Sequence, residues 1–292
     1  MIHELRGNFD ITELCEALGV SRSGYHGSLT RTPGPRARAN QQLLKGMKTI
    51  HTHRHTRAYG SPRMARELRA GGQPCSENRV ARLMRLHGMR ARPRRPFRPK
   101  TTSPDHAAHP SPNLLAQAGP PEAPGRQIVS DITYIPTSEG WLYLAVVIDL
   151  FSRCVLGWKL STSLHSDVVA AALSAAHATG LVPRGALFHS DQGCQYSSGQ
   201  IRSLLARYGL VQSMSARGYC YDNAFAESAF ASIKNEVLPE DQSFPTRQAA
   251  STALFDYFQT FYNRRRLHSS LGYLSPETFL NQYFQNLNPS LN

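Results

Sequence analysis

Ile128-Val-Ser-Asp-Ile-Thr-Tyr-Ile135 is the first of three segments rich in β-branched and aromatic residues. The other two are Leu142-Tyr-Leu-Ala-Val-Val-Ile148 and Val155-Leu-Gly-Trp-Lys-Leu160, with turns expected at Gly140 and at Phe151-Ser-Arg153. Residues of these types favour strands, and turn residues between such runs mark the strand ends. Three short strands in succession predict an antiparallel meander.

Helical and strand patterns alternate after this meander. Short strands are expected at 186–189 and 211–214, and helices are expected at 166–179, 199–208, 222–236 and 247–262. A meander followed by alternating helices and strands predicts a layered α/β domain with a mixed sheet. We expect this domain to span residues 126–285, with a short tail at 286–292.

The composition excludes several classes of protein. The chain has 292 residues, of which 40% are hydrophobic, so general disorder is excluded. The longest apolar run, Trp141 to Phe151, contains Asp149 and is too short to span a bilayer, and no signal peptide follows Met1. The five cysteines form no CxxC pair, which argues against a disulfide framework. We therefore expect a cytoplasmic protein with no membrane partner.

Positive charge is concentrated in the first part of the chain. Residues 1–125 contain 21 Lys and Arg against 8 Asp and Glu, whereas residues 126–292 contain 12 of each. Arg31 to Lys100 alone holds 19 basic and 2 acidic residues. Such a field attracts polyanions, and it predicts binding to the phosphate backbone of nucleic acid. The alternative is a solvated basic face without a partner.

Residues 1–30 predict a small helix-turn-helix. Gly19 can adopt the left-handed conformation that ends one helix, and Ser21 can cap the next. The second helix would begin at Arg22 and present this residue to DNA. A plain helical hairpin is the alternative. A polar linker is expected at 31–40.

Residues 41–100 predict a second helix-turn-helix. Ser61-Pro62 begins one helix, Gly71-Gly72 ends it, and Ser76 caps another. Its basic face and the Pro-rich arm that follows are expected to contact DNA through Arg79, Arg82, Arg85, Arg90, Arg92, Arg94 and Arg95. A Pro/Ala-rich linker is expected at 101–125. A zinc site at His51, His53 and His55 is disfavoured, because alternate residues of a helix do not face one another.

Three carboxylates occupy unusual places in the second half. Asp131 falls within a predicted buried strand, Asp191 follows another strand, and Glu227 lies on a helix that is otherwise apolar. If they converge, their mutual repulsion would be relieved by divalent cations, and a pair of Mg²⁺ ions builds a phosphoryl-transfer site. A cap, a salt bridge or a solvated rim is the alternative for each residue.

The segments around these acids resemble a known family. They are Ser130-Asp-Ile-Thr-Tyr-Ile135, His189-Ser-Asp-Gln-Gly-Cys-Gln-Tyr196, Asp222-Asn-Ala-Phe-Ala-Glu-Ser228 and Tyr262-Asn-Arg-Arg-Arg-Leu-His-Ser-Ser-Leu-Gly-Tyr273. Together with the 35 residues between Asp191 and Glu227, they resemble the OrfB transposases of bacterial insertion sequences, in the DD(35)E retroviral-integrase superfamily. Tyr59-Gly-Ser-Pro62 through Arg79–Met84 also resembles the helix-turn-helix of that family.

The resemblance implies a ribonuclease-H-like core that binds two Mg²⁺ ions (Mn²⁺ can substitute), with Asp131 and Asp191 bridging the metals and Glu227 completing one site. It implies cleavage at the element's terminal inverted repeats and joining of the freed 3′-hydroxyl to target DNA. It further implies a homo-oligomer on double-stranded DNA, and an upstream OrfA product or fusion as partner.

Further DNA contacts are expected within the core. Lys234 lies seven residues after Glu227, so both project from one helical face, and Lys234 could hold a phosphate. Arg264, Arg265 and Arg266 form a dense basic cluster. His189 is expected to be structural. Two alternative functions are a DNA-binding regulator without catalysis and a ribonuclease H, although A-form helices hide the groove that helix-turn-helix units read.

Overall fold

The computed structural model describes residues 2–30, 32–92, 111–215 and 224–287, and for residues 224–227 it describes the helix but not the side chains. The described N-terminal region is helical. Its helices are Ile2–Leu5 (α1), Ile11–Ala17 (α2), Arg22–Thr30 (α3), Pro35–Thr52 (α4), Ser61–Ala70 (α5) and Glu77–Leu86 (α6).

The second half combines a sheet with helices on both faces. Its strands are Gln127–Thr137 (β1), Gly140–Asp149 (β2), Val155–Ser161 (β3), Leu187–Ser190 (β4) and Val211–Met214 (β5). Its helices are Ser166–Ala178 (α7), Cys194–Ser197 (α8), Gly199–Tyr208 (α9), Ala224–Val237 (α10), Arg247–Asp256 (α11) and Pro276–Leu287 (α12). A π-helical turn, Tyr257–Tyr262, continues α11.

The sheet has the strand order β3-β2-β1-β4-β5. β1, β2 and β3 pair antiparallel, which confirms the predicted meander. β4 pairs parallel to β1, and β5 pairs parallel to β4. β4 and β5 therefore end beside the first half of β1, which continues beyond them to Thr137.

Apolar side chains cover both faces of the sheet, as the alternation along β1 and β2 requires. One face packs α7 and α9 through residues such as Val169, Leu173 and Ile201. The other face packs α10, α11 and the π-helical turn through Ile233, Leu254 and others. The predicted α/β layering is confirmed.

The helical region has a core of its own, and it also packs on the sheet domain. Leu43, Met47, Met64 and Val80 join α4, α5 and α6. Tyr59, between α4 and α5, is fully buried in the other core, among side chains of α10, α11 and the π-helical turn. The second helical unit and the sheet domain therefore share one apolar interior.

Several element ends differ from the predictions. α4 begins at Pro35, inside the predicted linker at 31–40, because proline is well suited to the first turn of a helix. Gly60, and not Ser61, precedes the first residue of α5. Ser76 caps α6 as predicted, by accepting a hydrogen bond from the Arg79 amide. α12 was not predicted.

The end of the second predicted linker lies against the sheet domain. The amides of Leu114 and Leu115 donate to the Ser213 hydroxyl at 3.0 and 3.2 Å, and Leu115 packs on the apolar core. The amide of Gly125 donates to the buried Asp149 carboxylate at 2.9 Å. Residues 111–125 are thus part of the folded domain. Among the described residues, none of the helices combines the length and the apolar character needed to cross a bilayer.

We expect Gly157→Ala to lower the free energy of unfolding by about 1–3 kcal/mol, because overpacking forces the backbone to move. An added Cβ at Gly157 of β3 would lie 2.2 Å from the Ala172 carbonyl oxygen and 2.6 Å from the Ala176 nitrogen, both in α7. Urea denaturation measures the change.

The control is Gly199→Ala in the first turn of α9, where no heavy atom lies within 4 Å of the added Cβ. This variant should gain about 0.4–1 kcal/mol, since alanine reduces the entropy of the unfolded chain. Equal effects of the two substitutions would contradict close packing of α7 on β3.

Candidate active site

Asp131 lies within β1, and Asp191 comes directly after the adjacent strand β4. Val129 of β1 pairs with His189 of β4 in the parallel ladder. Continuing this register by two residues, past the end of β4 at Ser190, brings Asp131 next to Asp191. Neighbouring strands are separated by about 4.8 Å, so the two carboxylates share one site.

Each aspartate accepts a local backbone hydrogen bond. The Ile132 amide donates to Asp131 Oδ1 at 2.7 Å, and the Gly193 amide donates to Asp191 Oδ1 at 3.0 Å. Burial raises the pKa of Asp191, and the Gly193 hydrogen bond offsets this only in part. A buried carboxylate with a raised pKa is stabilised in its ionised form by a nearby cation.

Tyr196 lies close to the two aspartates. Its side chain is fully buried, and its hydroxyl is 3.1 Å from the hydroxyl of Ser130, which precedes Asp131. Burial raises the pKa of Tyr196 well above its ordinary value, and the negative charges of Asp131 and Asp191 raise it further. The phenol therefore stays protonated. The sequence analysis assigned Tyr196 no role, although its position five residues after Asp191 could have indicated that it packs near the site.

α10 brings Lys234 to the same edge. Burial lowers the pKa of Lys234 to about 8, and the charge of Asp131 opposes this shift, so the ammonium lies within electrostatic range of that carboxylate. Glu227 lies two turns earlier on α10. Its backbone is helical as predicted, whereas its side chain is outside the described part of the chain.

A buried ion pair holds α10 against the rest of the domain. Arg266 donates from Nε and Nη2 to the two carboxylate oxygens of Glu236, both at 2.8 Å, and each side chain is 3% exposed. The Tyr257 hydroxyl donates to Glu236 Oε2 at 2.7 Å. Burial alone would disfavour the cation, but the Glu236 carboxylate overcomes this and raises the pKa of Arg266 well above its usual range.

The predicted DNA contact at Arg266 is therefore wrong. The Arg266 side chain is too buried to reach a phosphate. Its guanidinium nitrogens already contact the Glu236 carboxylate and the His268 ring. Its neighbours Arg264 and Arg265 are exposed. Arg264 Nε lies 3.9 Å from the exposed carboxylate of Glu277. Glu236 was missed, although a carboxylate next to the apolar positions Ile233 and Val237 signals a buried partner.

The other predicted DNA contacts fall into three groups. Exposed side chains in the helical region are Arg22, Arg82, Arg85 and Arg90. Arg79 is half-buried and donates from Nε to the Asn40 side-chain oxygen at 2.9 Å. Arg92 donates to backbone carbonyls near the end of α10. Arg94 and Arg95 lie outside the described residues.

Two histidines singled out in the sequence have structural partners. His189 is buried, and its Nδ1 lies 2.9 Å from the Ser213 hydroxyl, which also holds residues 114 and 115. His55 is buried against Phe261, with Nε2 2.7 Å from Asp256 Oδ2. Within residues 2–30, 32–92, 111–215 and 228–287, no three His, Cys, Asp or Glu side chains cluster as metal ligands.

Stability should depend on pH through His268. Burial, together with the charge of Arg266, lowers the pKa of His268 to about 2. As the pH falls below about 6.5, the unfolded chain therefore takes up a proton that the folded chain does not. We expect this residue to cost about 2 kcal/mol of unfolding free energy between pH 7 and pH 5. Urea denaturation at the two pH values measures this cost.

In His268→Gln, the amide oxygen can still accept a hydrogen bond from Arg266. The loss of unfolding free energy between pH 7 and pH 5 should then be smaller by about 2 kcal/mol than in wild type. The exposed His165 provides the control, and His165→Gln should follow the wild type. A His268→Gln curve parallel to that of the wild type would contradict a buried neutral imidazole.

Comparisons with known proteins match nearly the whole chain. Residues 121–220 match the family Integrase core domain, residues 208–276 match a second family of that description, and residues 38–97 match the family HTH-like domain. The match at 121–220 includes Asp131 and Asp191, and the match at 208–276 includes Glu227 and Lys234.

Curated relatives have similar lengths. Transposase InsF for insertion sequence IS3A, from Escherichia coli strain K12, is 39% identical over 284 residues, which cover 96% of this chain and 97% of the relative. An uncharacterized 31 kDa protein of insertion element IS600, from Shigella sonnei, is 36% identical over 272 residues, which cover 93% and 99%.

Two solved structures show weaker similarity. A chain of a simian T-cell lymphotropic virus intasome is 15% identical with a TM-score of 0.45, covering 80% of this chain and 74% of that one. The HTLV-2 integrase catalytic core domain in complex with magnesium is 18% identical with a TM-score of 0.40, covering 54% and 97%.

The family matches and the strand order confirm the predicted ribonuclease-H-like α/β core with helical units before it. The identity to InsF extends through both regions. The chain thus belongs to the OrfB-type transposases of IS3-family insertion sequences.

Proposed function

We propose that this transposase cleaves one DNA strand at the ends of its insertion sequence and joins the freed 3′-hydroxyl to target DNA, with Asp131, Asp191 and Glu227 as metal-binding carboxylates. The observation that supports the proposal is the parallel pairing of β1 with β4, which brings Asp131 of β1 near Asp191, the residue that follows β4. α10, which carries Glu227, packs beside β1. A strand, the loop after the neighbouring strand and one helix would thus supply the three acids.

The donor set suits divalent cations that prefer oxygen. Carboxylates are the protein ligands of Mg²⁺ and Mn²⁺, and Asp191, whose pKa burial raises, gains most from a neighbouring positive charge. Asp131 and Asp191 would hold both ions, and Glu227 would complete one site. When bound, such a pair stabilises the attacking and leaving oxygens of a phosphoryl transfer.

Lys234 would bind the phosphate next to the cleaved bond. Its pKa of about 8 leaves the ammonium largely protonated at pH 7, and burial at the edge of the site strengthens its attraction for an anion. Tyr196 stays neutral, and its hydroxyl forms a hydrogen bond with the Ser130 hydroxyl. His189 serves the fold, since its ring is buried beside Ser213.

Basic residues outside the site would bind the flanking DNA. Arg22, Arg79, Arg82, Arg85 and Arg90 of the helical region, with Arg94 and Arg95 of the basic arm, would contact the terminal repeats, and Arg264 and Arg265 would contact DNA from the core. The net charge of +13 favours such contacts, and the affinity should fall steeply with salt. Transposition joins two ends, so we propose assembly as an oligomer on DNA, with an upstream OrfA product or fusion as partner.

A metal-dependent assay tests two of the three carboxylates. Labelled DNA from the terminal repeats is incubated with wild type, Asp191→Asn or Glu227→Gln, in Mg²⁺ and in EDTA. We expect cleavage and joining by wild type only with Mg²⁺, and a loss of about 1,000-fold or more in each variant, because several kcal/mol of charge stabilisation disappears.

The control is Asp167→Asn. Asp167 is exposed on α7 and binds only the Gln200 amide among the contacts described, so both activities should persist. Cleavage by Asp191→Asn at the wild-type rate would overturn the proposed site. Binding without cleavage by wild type would favour a DNA-binding regulator, unless fusion to the upstream frame restores cleavage.

A further inference from the structure

Two arginines of the helical region bind the carboxyl-terminal end of α10. Arg92 donates from Nη1 to the carbonyl oxygen of Asn235 at 3.1 Å, and also to those of Leu238 and Pro239. Arg57 donates from Nη2 to the Leu238 carbonyl at 3.0 Å. The Asn235 side-chain amide donates back to the Arg92 carbonyl at 3.2 Å.

This arrangement replaces an ordinary helix cap. The last carbonyls of a helix have no partner within the helix and carry negative partial charge. A guanidinium presents several donors in a rigid fork and stays charged, so it satisfies adjacent carbonyls together. Arg92 is half-buried, which shields its hydrogen bonds from water. The helical region therefore restrains the carboxyl-terminal end of α10.

α10 is also the helix of the proposed site. Lys234 lies in its last turn, next to Asn235, and Glu227 lies two turns before Lys234. The Glu236–Arg266 ion pair restrains rotation of α10 about its axis, whereas the contacts of Arg92 and Arg57 restrain the helix at its end. Since metal-binding groups need placement within a fraction of an ångström, both restraints bear on Glu227.

We infer that Arg92 is a positioning residue, which acts through α10 to place Glu227 and Lys234 against Asp131 and Asp191. The inference rests on the proposed function of that site. It replaces the expectation that Arg92 contacts a phosphate, because its guanidinium already donates to three carbonyls of the protein.

Substitution of Arg92 distinguishes positioning from DNA contact. In Arg92→Ala, we expect kcat for end cleavage at saturating DNA to fall about 100-fold, the cost of a misplaced group, while DNA affinity and its salt dependence stay near those of wild type. Arg92→Lys keeps the charge but loses the fork, so it should recover part of kcat. Arg90→Ala is the comparison, because Arg90 is exposed and should affect DNA affinity.

Hydrogen exchange provides a readout that requires no catalysis. We expect Arg92→Ala to increase amide exchange in the last turns of α10, with β1 and β2 unchanged, and Arg90→Ala to leave α10 as in wild type. Faster exchange confined to α10 would also show that the rest of the variant is folded.

Two results would overturn the inference. One is unchanged exchange in α10 of Arg92→Ala. The other is a weakened DNA affinity in Arg92→Ala with a lower salt slope and a normal kcat, which is the behaviour of a phosphate contact. If wild type itself fails to cleave, the proposed function fails, whereas hydrogen exchange still tests the contact between Arg92 and α10.

Discussion

The carboxylate of Glu236 and the guanidinium of Arg266 lie side by side in the interior, joined by two hydrogen bonds of 2.8 Å. Removing two charges from water is costly, and the pair is tolerable only because its remaining donors and acceptors are used. Tyr257 donates to the carboxylate, and the neutral ring of His268 lies 3.1 Å from the guanidinium. Loss of one partner would leave a buried charge and cost about 3–5 kcal/mol. This interaction restrains the helix that carries Glu227 and Lys234.

The same region joins the helical unit to the catalytic fold. Tyr59 is buried beside Phe261, and Arg63 approaches Glu236 at 3.9 Å. Arg57 and Arg92 reach the end of α10. Arg92, which was expected to contact DNA, is thus used inside the protein. The helical unit and the helix that carries Glu227 share one packed interior, which resists deformation.

Much of the fold was predictable because its signals are local. Runs of β-branched and aromatic residues between turn residues gave the strands of the meander, and the position of Ser76 gave the start of α6. Helical periodicity related Lys234 to Glu227. The run Arg264-Arg-Arg266 shows the limit of prediction from local sequence signals. Three identical side chains in sequence differ in burial, since Arg266 reaches the buried carboxylate of Glu236, 30 residues earlier in the chain, whereas the carboxylate near Arg264 is exposed.

By itself, the sequence predicted most of the elements and the family, because these depend on side-chain period and on motifs of contiguous residues. Only the tertiary structure decided which charges are buried in pairs and which face solvent. It placed Glu236 with Arg266, and Arg92 at the end of α10. The physical reason is that the environment of a charge depends on neighbours that are distant in the chain, and no local pattern encodes those neighbours.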